Sequence, residues 1–189
     1  MKTVSYILFL LFSLVNPVVS QAVSWKWYFD LGLMNGGDTI AEIPVQTCYD
    51  WGCSTSYDGI KAGGAATLNF GGVIKLTPFL NIRITAGMDR DSVTAGGDAV
   101  FFERFHEDIG LEFVSGVHQV AAGVTSYHDI VLDLSDIGSG IFEFDDTEGT
   151  YIEYKYKLFA IRQGTVKYRQ PLLGEYDGNY TALIMAIKW

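Results

Sequence analysis

The stretch Ser24-Trp-Lys-Trp-Tyr-Phe-Asp-Leu-Gly-Leu-Met34 alternates with a period of two. Trp25, Trp27, Phe29, Leu31 and Leu33 share one parity, and Ser24, Lys26, Tyr28, Asp30 and Gly32 the other. Side chains along a strand point to opposite faces in turn, so this is a β-strand with one apolar and one polar side. The pattern recurs down the chain. Gly59–Phe70 sets Ile60, Ala62, Gly64, Ala66, Leu68 and Phe70 against Lys61, Thr67 and Asn69. Leu80–Asp89, Arg104–Phe113, Gln119–His128, Thr150–Leu158, Gly164–Gln170 and Tyr180–Trp189 alternate likewise, which predicts eight strands.

The intervals between strands have their own rhythm. Long connections at Asn35–Asp58 and Asp129–Gly149, with moderate ones at Arg90–Val100 and Pro171–Asn179, alternate with short ones at Gly71–Phe79, Val114–His118 and Phe159–Gln163. In an antiparallel meander alternate connections lie at opposite ends. One end therefore gathers long polar loops and the other tight turns.

Composition narrows the class. The 189 residues are 49% hydrophobic, 19% charged and 14% aromatic, which excludes intrinsic disorder. A net charge of −9 supplies no positive field for phosphates and excludes nucleic acid as a partner. The start is distinct: Met1–Lys2, an apolar run over Tyr6–Val15, then small residues at Ser20 and Ala22. This reads as a secretory signal peptide over 1–22, leaving 23–189 as the exported domain. Mean hydropathy is +0.19, high for a soluble domain, yet after the leader no apolar run is long enough for a membrane helix.

Alternation alone does not say which face points inward. Three features favour apolar residues outward, toward lipid. The polar parity is densely charged with both signs (Lys26, Asp30, Lys61, Arg83, Arg104, Asp108, Glu112, Glu153, Lys155, Lys157, Lys167), which suits a narrow interior filled by ion pairs. The loop asymmetry is that of membrane barrels. Trp25 and Trp27 open the first strand and Trp189 ends the last, so closure places these membrane-interface aromatics on one rim. The predicted fold is all-β: a closed eight-stranded antiparallel up-and-down transmembrane β-barrel.

With its C-terminal Thr181-Ala-Leu-Ile-Met-Ala-Ile-Lys-Trp189, the mature chain resembles the small eight-stranded outer-membrane β-barrel proteins of Gram-negative bacteria. That group includes the OmpA transmembrane domain, OmpX, OmpW and the lipid A-modifying barrels. The resemblance implies a place in the bacterial outer membrane, among its lipids and lipopolysaccharide, as a monomer. It also implies recognition of the last strand by the barrel-assembly machinery. Trp189 stands where the family usually has Phe. The resemblance does not fix an activity, because one scaffold carries many functions.

Eight strands enclose a space just wide enough for side chains. Arg83, Arg104, Asp108, Glu112, Glu153 and Lys155 are therefore expected to form a packed lumen charge network rather than line a pore, with Arg83 and Arg104 pairing Asp108, Glu112 or Glu153. Glu107 breaks the apolar parity between Phe105 and Ile109. It fits either an outer-interface position or a bulge that shifts register. Cys48 and Cys53, the sole cysteines, are expected to form a disulfide in the first long loop. The scattered loop aspartates (Asp129, Asp133, Asp136, Asp145, Asp146) read as solvated acidic surface. No metal, cofactor or catalytic residue is assigned. The expected role is a structural or surface-interaction barrel with acidic loops. The alternative is a lipid A-modifying acyl hydrolase, because Ser126 and His128 share the outward face. Lipid A deacylase barrels carry a His-x-Ser-Asn order, whereas this chain has Ser126-Tyr-His128-Asp129, so no catalytic residue is carried over.

Overall fold

The computed structural model describes residues 24–95 and 98–188, so the expected signal peptide and Trp189 lie outside the described residues. The chain forms β1 (Trp25–Gly36), β2 (Thr39–Tyr49), β3 (Gly52–Lys61), β4 (Ala65–Lys75), β5 (Leu80–Ala95) and β6 (Asp98–Ser115). It continues through β7 (His118–Leu134), β8 (Gly140–Glu143), β9 (Thr147–Tyr156), β10 (Phe159–Gln170), β11 (Gly174–Asp177) and β12 (Tyr180–Lys188). Pairing runs β1–β4–β5–β6–β7–β9–β10–β12 and back to β1, antiparallel throughout. The eight-stranded barrel is thus closed, and no strand edge remains to be satisfied. The β2–β3 hairpin, β8 and β11 lie at the long-loop end.

The apolar parity faces out. Each barrel strand contributes to a continuous exposed belt: Leu31, Leu68, Ile84, Ile109, Val124, Ile152, Ile161 and Leu183, one from each. Trp25 and Trp27 sit at the tight-turn rim, edge to face at 5.0 Å, and Trp27 stacks on Phe70 at 5.2 Å. The intervening residues point in and are buried, among them Asp30, Asn69, Arg83, Asp108, Glu153 and Arg162.

The strands are longer than the alternation indicated, and they outrun the belt at the long-loop end. There the chemistry of the two faces is exchanged. Val93, Val100, Phe102, Ile130, Leu132, Val166 and Tyr168 turn inward and form an apolar core with Ile43 and Ile60 of the hairpin. Arg90 of β5, Glu148 of β9, and Lys167 and Arg169 of β10 turn outward at this level and are exposed.

Four expectations need correction. Gly59–Phe70 is not one strand: the chain turns at 62–64, so Ile60 and Ala62 are buried at the hairpin foot instead of facing outward. Phe159–Gln163 is strand, not turn, because β10 already pairs with β9 at Phe159↔Tyr156. Val166 and Tyr168 face inward, since their part of β10 lies beyond the belt. Lys61, Lys157 and Lys167 are exposed and do not enter the lumen.

The bulge alternative for Glu107 does not hold. A bulge is present, but higher up: Glu103 pairs Val131 and Phe105 pairs His128, so Arg104 faces Asp129 and Ile130 together. Asp129 takes the left-handed φ of 49° that absorbs the extra residue. Glu107 keeps regular pairing with Ser126 and points outward. The row Phe29–Phe70–Ala86–Glu107–Ser126–Glu148 crosses the ladders and, because barrel strands tilt, climbs toward the long loops. It runs from apolar Phe29, Phe70 and Ala86 to polar Glu107, Ser126 and Glu148.

Inward tyrosines lie on glycines of the neighbouring strand, as in the register pairs Tyr28↔Gly71, Tyr151↔Gly123 and Tyr180↔Gly164. A Cβ at Gly123 would meet the Gly110 Cα at 2.7 Å and the Tyr151 ring at 2.9 Å. Gly123→Val is therefore expected to abolish the compact, heat-modifiable species on refolding into detergent. Ala122→Val, next door and outward, is expected to refold like the parent, and electrophoresis of unheated samples reads both.

Candidate functional site

Two regions carry chemistry: the lumen and the long-loop end. In the lumen, strand alternation brings five ionised side chains from five strands to one level. Asp30 of β1 accepts from Arg83 Nη2 of β5 at 2.9 Å. Arg83 Nη1 pairs with Glu153 of β9. The second oxygen of Glu153 accepts from Arg162 Nε of β10 at 2.9 Å, and Arg162 Nη1 donates to Asp108 of β6 at 2.7 Å. All five are buried, and Lys155 adds a cation beside Asp30. The guanidinium groups also lie over rings, Arg83 over Tyr28 at 4.8 Å and Arg162 over Tyr151 at 4.3 Å. Arg83 Nε donates to the Tyr28 hydroxyl at 2.7 Å.

Of the residues expected in this network, Arg83, Asp108 and Glu153 belong to the chain just described. Lys155 lies beside it. Glu112 is buried nearer the tight-turn end, where Asn81 Nδ2 donates to it at 2.9 Å. Arg104 is separate. Its Nε donates to Asp89 at 3.2 Å, its Nη2 to the Gly64 carbonyl at 3.4 Å, and its Nη1 to the Ala62 carbonyl. It thus binds the β3–β4 turn to the barrel. Asp30, Asp89 and Arg162 complete these groups. Arg162 lies in the segment expected to be a turn, where Phe159, Ile161 and Gln163 alternate with Ala160, Arg162 and Gly164 as a strand does.

Two cavities open along the lumen among the described residues. A mouth of about 230 Å³ opens at the tight-turn end beside Lys26, Lys75, Asn81 and Glu112. Beyond the arginine–carboxylate chain there is room for about 10 Å³ beside Asp89, His106 and Tyr180, the size of one water. Above that the apolar core closes the barrel.

At the long-loop end, β2 and β3 pair from Thr39↔Lys61 to Tyr49↔Gly52, with Cys48 directly opposite Cys53. These cysteines form a disulfide with Cα atoms 4.0 Å apart. The foot is tied down by Asp38, whose N–H donates to the Asp177 carbonyl at 2.7 Å and whose carboxylate accepts from the Asp177 N–H at 2.7 Å. Nearby, the N–H and hydroxyl of Ser135 hold the Asp133 carboxyl below its ordinary range, and Glu175 raises the Lys167 ammonium. Among the described residues no three His, Cys, Asp or Glu side chains converge as metal ligands. Ser126 and His128 are on the outer face, where His128 stacks on Phe105 at 6.4 Å, and no hydrogen bond joins it to Ser126.

No family model and no curated protein matches the sequence. Among solved structures, the chain is similar to Ail, the attachment invasion locus protein of Yersinia pestis. The TM-score is 0.46 at 7% identity, covering 88% of this chain and 100% of that one. Ail in complex with the heparin analogue sucrose octasulfate gives 0.42 at 7% identity, covering 86% and 97%.

The lumen chain has a measurable consequence. Arg162→Met removes the cation shared by Asp108 and Glu153, leaving Asp108 and one Glu153 oxygen buried without that counter-charge. The expected loss is about 3–5 kcal/mol, read as a lower urea midpoint in detergent micelles. Lys167→Met removes an exposed pair with Glu175 at 2.9 Å and is expected to leave the midpoint unchanged.

Proposed function

We propose that this protein is an integral outer-membrane barrel that holds a rigid, acidic surface structure outside the cell and conducts nothing through its lumen. The observation that carries the reading is the unbroken outward apolar belt around all eight strands, combined with ion pairs inside. Soluble proteins rarely expose contiguous apolar surface beyond a few hundred Å². A bilayer covers such a belt, and closure satisfies the backbone within it. The tight-turn rim with Trp25 and Trp27 then faces the periplasm. The long loops, with outward charges above the belt, face the exterior. Outer-leaflet lipids and lipopolysaccharide contact the upper belt edge, where Glu107 and Ser126 lie, and β12 carries the assembly signal.

The hydrolase alternative has no nucleophile–base hydrogen bond to support it, since His128 engages Phe105 instead. An unchanged lipid A mass spectrum in cells with and without the protein removes it, and a lost acyl chain would install it.

The belt itself supplies the decisive test. Ile84 lies mid-belt, whereas Glu107 lies at its edge. On refolding into lipid vesicles, Ile84→Arg is expected to cost about 2–4 kcal/mol and Glu107→Arg about 0–1 kcal/mol. Equal tolerance of both, with a monomer that stays in solution without detergent, would overturn the membrane reading.

A further inference from the structure

The β2–β3 hairpin ends in a feature that the barrel does not need. Tyr49 closes β2 and Trp51 sits in the two-residue turn before β3. Their rings stack at 5.6 Å and 9°. Trp51 is 86% exposed and Tyr49 58%, so neither contributes to the core, which takes Ile43 and Ile60 from the hairpin foot. Immediately behind the pair, the Cys48–Cys53 disulfide joins the two strands. The tip therefore presents aromatic faces on a covalently braced turn, and little ordering remains for a ligand to supply.

Charge decides what such a surface fits. Within the hairpin, Glu42, Asp50 and Asp58 are exposed, and Lys61 at the foot is its sole basic residue. Lys61 points away from the tip, with Nζ donating to Asn35 Oδ1 at 3.4 Å. At the same end Asp136, Glu143, Asp145 and Asp146 are exposed as well, so carboxylates outnumber the exposed Lys61, Arg90, Lys167 and Arg169 there. Ring faces carry a negative quadrupole that attracts ammonium and guanidinium groups. Carboxylates beside them add to that attraction and repel anions. Aromatic faces in an acidic field select cations.

We infer that the Tyr49–Trp51 tip is a docking surface for a basic segment of a partner protein, held by cation–π contact with the rings and steered by Asp50 and the surrounding carboxylates. This rests on the proposed reading of the long-loop end as the exterior, and it names the partner chemistry of that end.

The test uses the full chain purified in detergent micelles and a fluorescein-labelled alternating Arg-Gly peptide, with Glu-Gly and Ser-Gly peptides and maltoheptaose as comparisons. The Arg-Gly peptide is expected to bind, more weakly as salt rises. Trp51→Ala is expected to weaken it about threefold to fivefold, and the Tyr49→Ala/Trp51→Ala pair about tenfold. Leu172→Ala, which removes another exposed apolar side chain (84%), is expected to change nothing. Equal binding by the aromatic variants would reduce the effect to the bulk acidic field and overturn the inference. So would absence of Arg-Gly binding, an equal loss in Leu172→Ala, or equal or tighter binding of the uncharged peptide or the oligosaccharide. The assay needs no membrane, so its failure is separable from failure of the outer-membrane reading, which the Ile84 and Glu107 variants test.

Discussion

Closing eight strands into a barrel forces every second side chain into a space only as wide as side chains themselves. The charged residues on that parity have no water to retreat to, so they must neutralise one another at fixed positions. Asp30, Arg83, Glu153, Arg162 and Asp108 do this as a linear alternation of carboxylate and guanidinium. Arginine suits the task because its planar fork addresses two partners at once, and here each arginine joins two carboxylates. A one-residue slip of any participating strand would send its charge outward and leave a partner buried alone. The chain therefore fixes register as well as charge balance.

The same constraint explains why the faces exchange chemistry along the strands. Within the belt the exterior is apolar, so polar residues go inside. Beyond the belt the outer face carries Arg90, Glu148, Lys167 and Arg169, and the interior becomes an ordinary hydrophobic core around Val100, Phe102, Leu132 and Tyr168. The bulge at Arg104 and Asp129 sits close to this changeover. It shifts the parity of β7, so that Tyr127 faces inward below and Ile130 and Leu132 face inward above. Without that extra residue β7 would turn the wrong side to the upper core.

This exchange also marks what could be read from the sequence. In the belt the period of two maps directly onto inside and outside, so the strands around Trp25–Leu33, Leu80–Met88 and Tyr180–Ile187 and their apolar faces are legible residue by residue. Above the belt the same alternation carries the opposite meaning, and pattern alone does not show where the changeover falls. That is why Val166 and Tyr168 face inward although the belt rule sends apolar residues of the alternation outward. Arg162 was hidden for a different reason: the tightest turn, at Lys157 and Leu158, is shorter than the stretch assigned to it, and Lys157 takes a left-handed φ of 55° that the residue type does not advertise. The hairpin is hard to read because both of its faces are exposed away from the foot, so no apolar alternation marks it. The spacing of Cys48 and Cys53, symmetric about Asp50 and Trp51, is the signal that identifies it.

The filling of the barrel changes along its axis, and that bears on how the hairpin is attached. Arginines and carboxylates fill the lower lumen, and an apolar core seals the upper one. The hairpin is not a free loop on this platform. Arg104 holds its foot through the carbonyls of Ala62 and Gly64, and Asp38 joins it to Asp177 in β11. Ile43 and Ile60 extend the barrel core into its lower half. The contacts of the foot begin in the lumen, because Arg104, which pairs with Asp89 inside the barrel, also binds the turn carbonyls. The hairpin is nonetheless a sheet of its own: β8 and β11 join the barrel by pairing with β7 and β10, whereas β2 and β3 are held to it only through their foot and the turn that follows them.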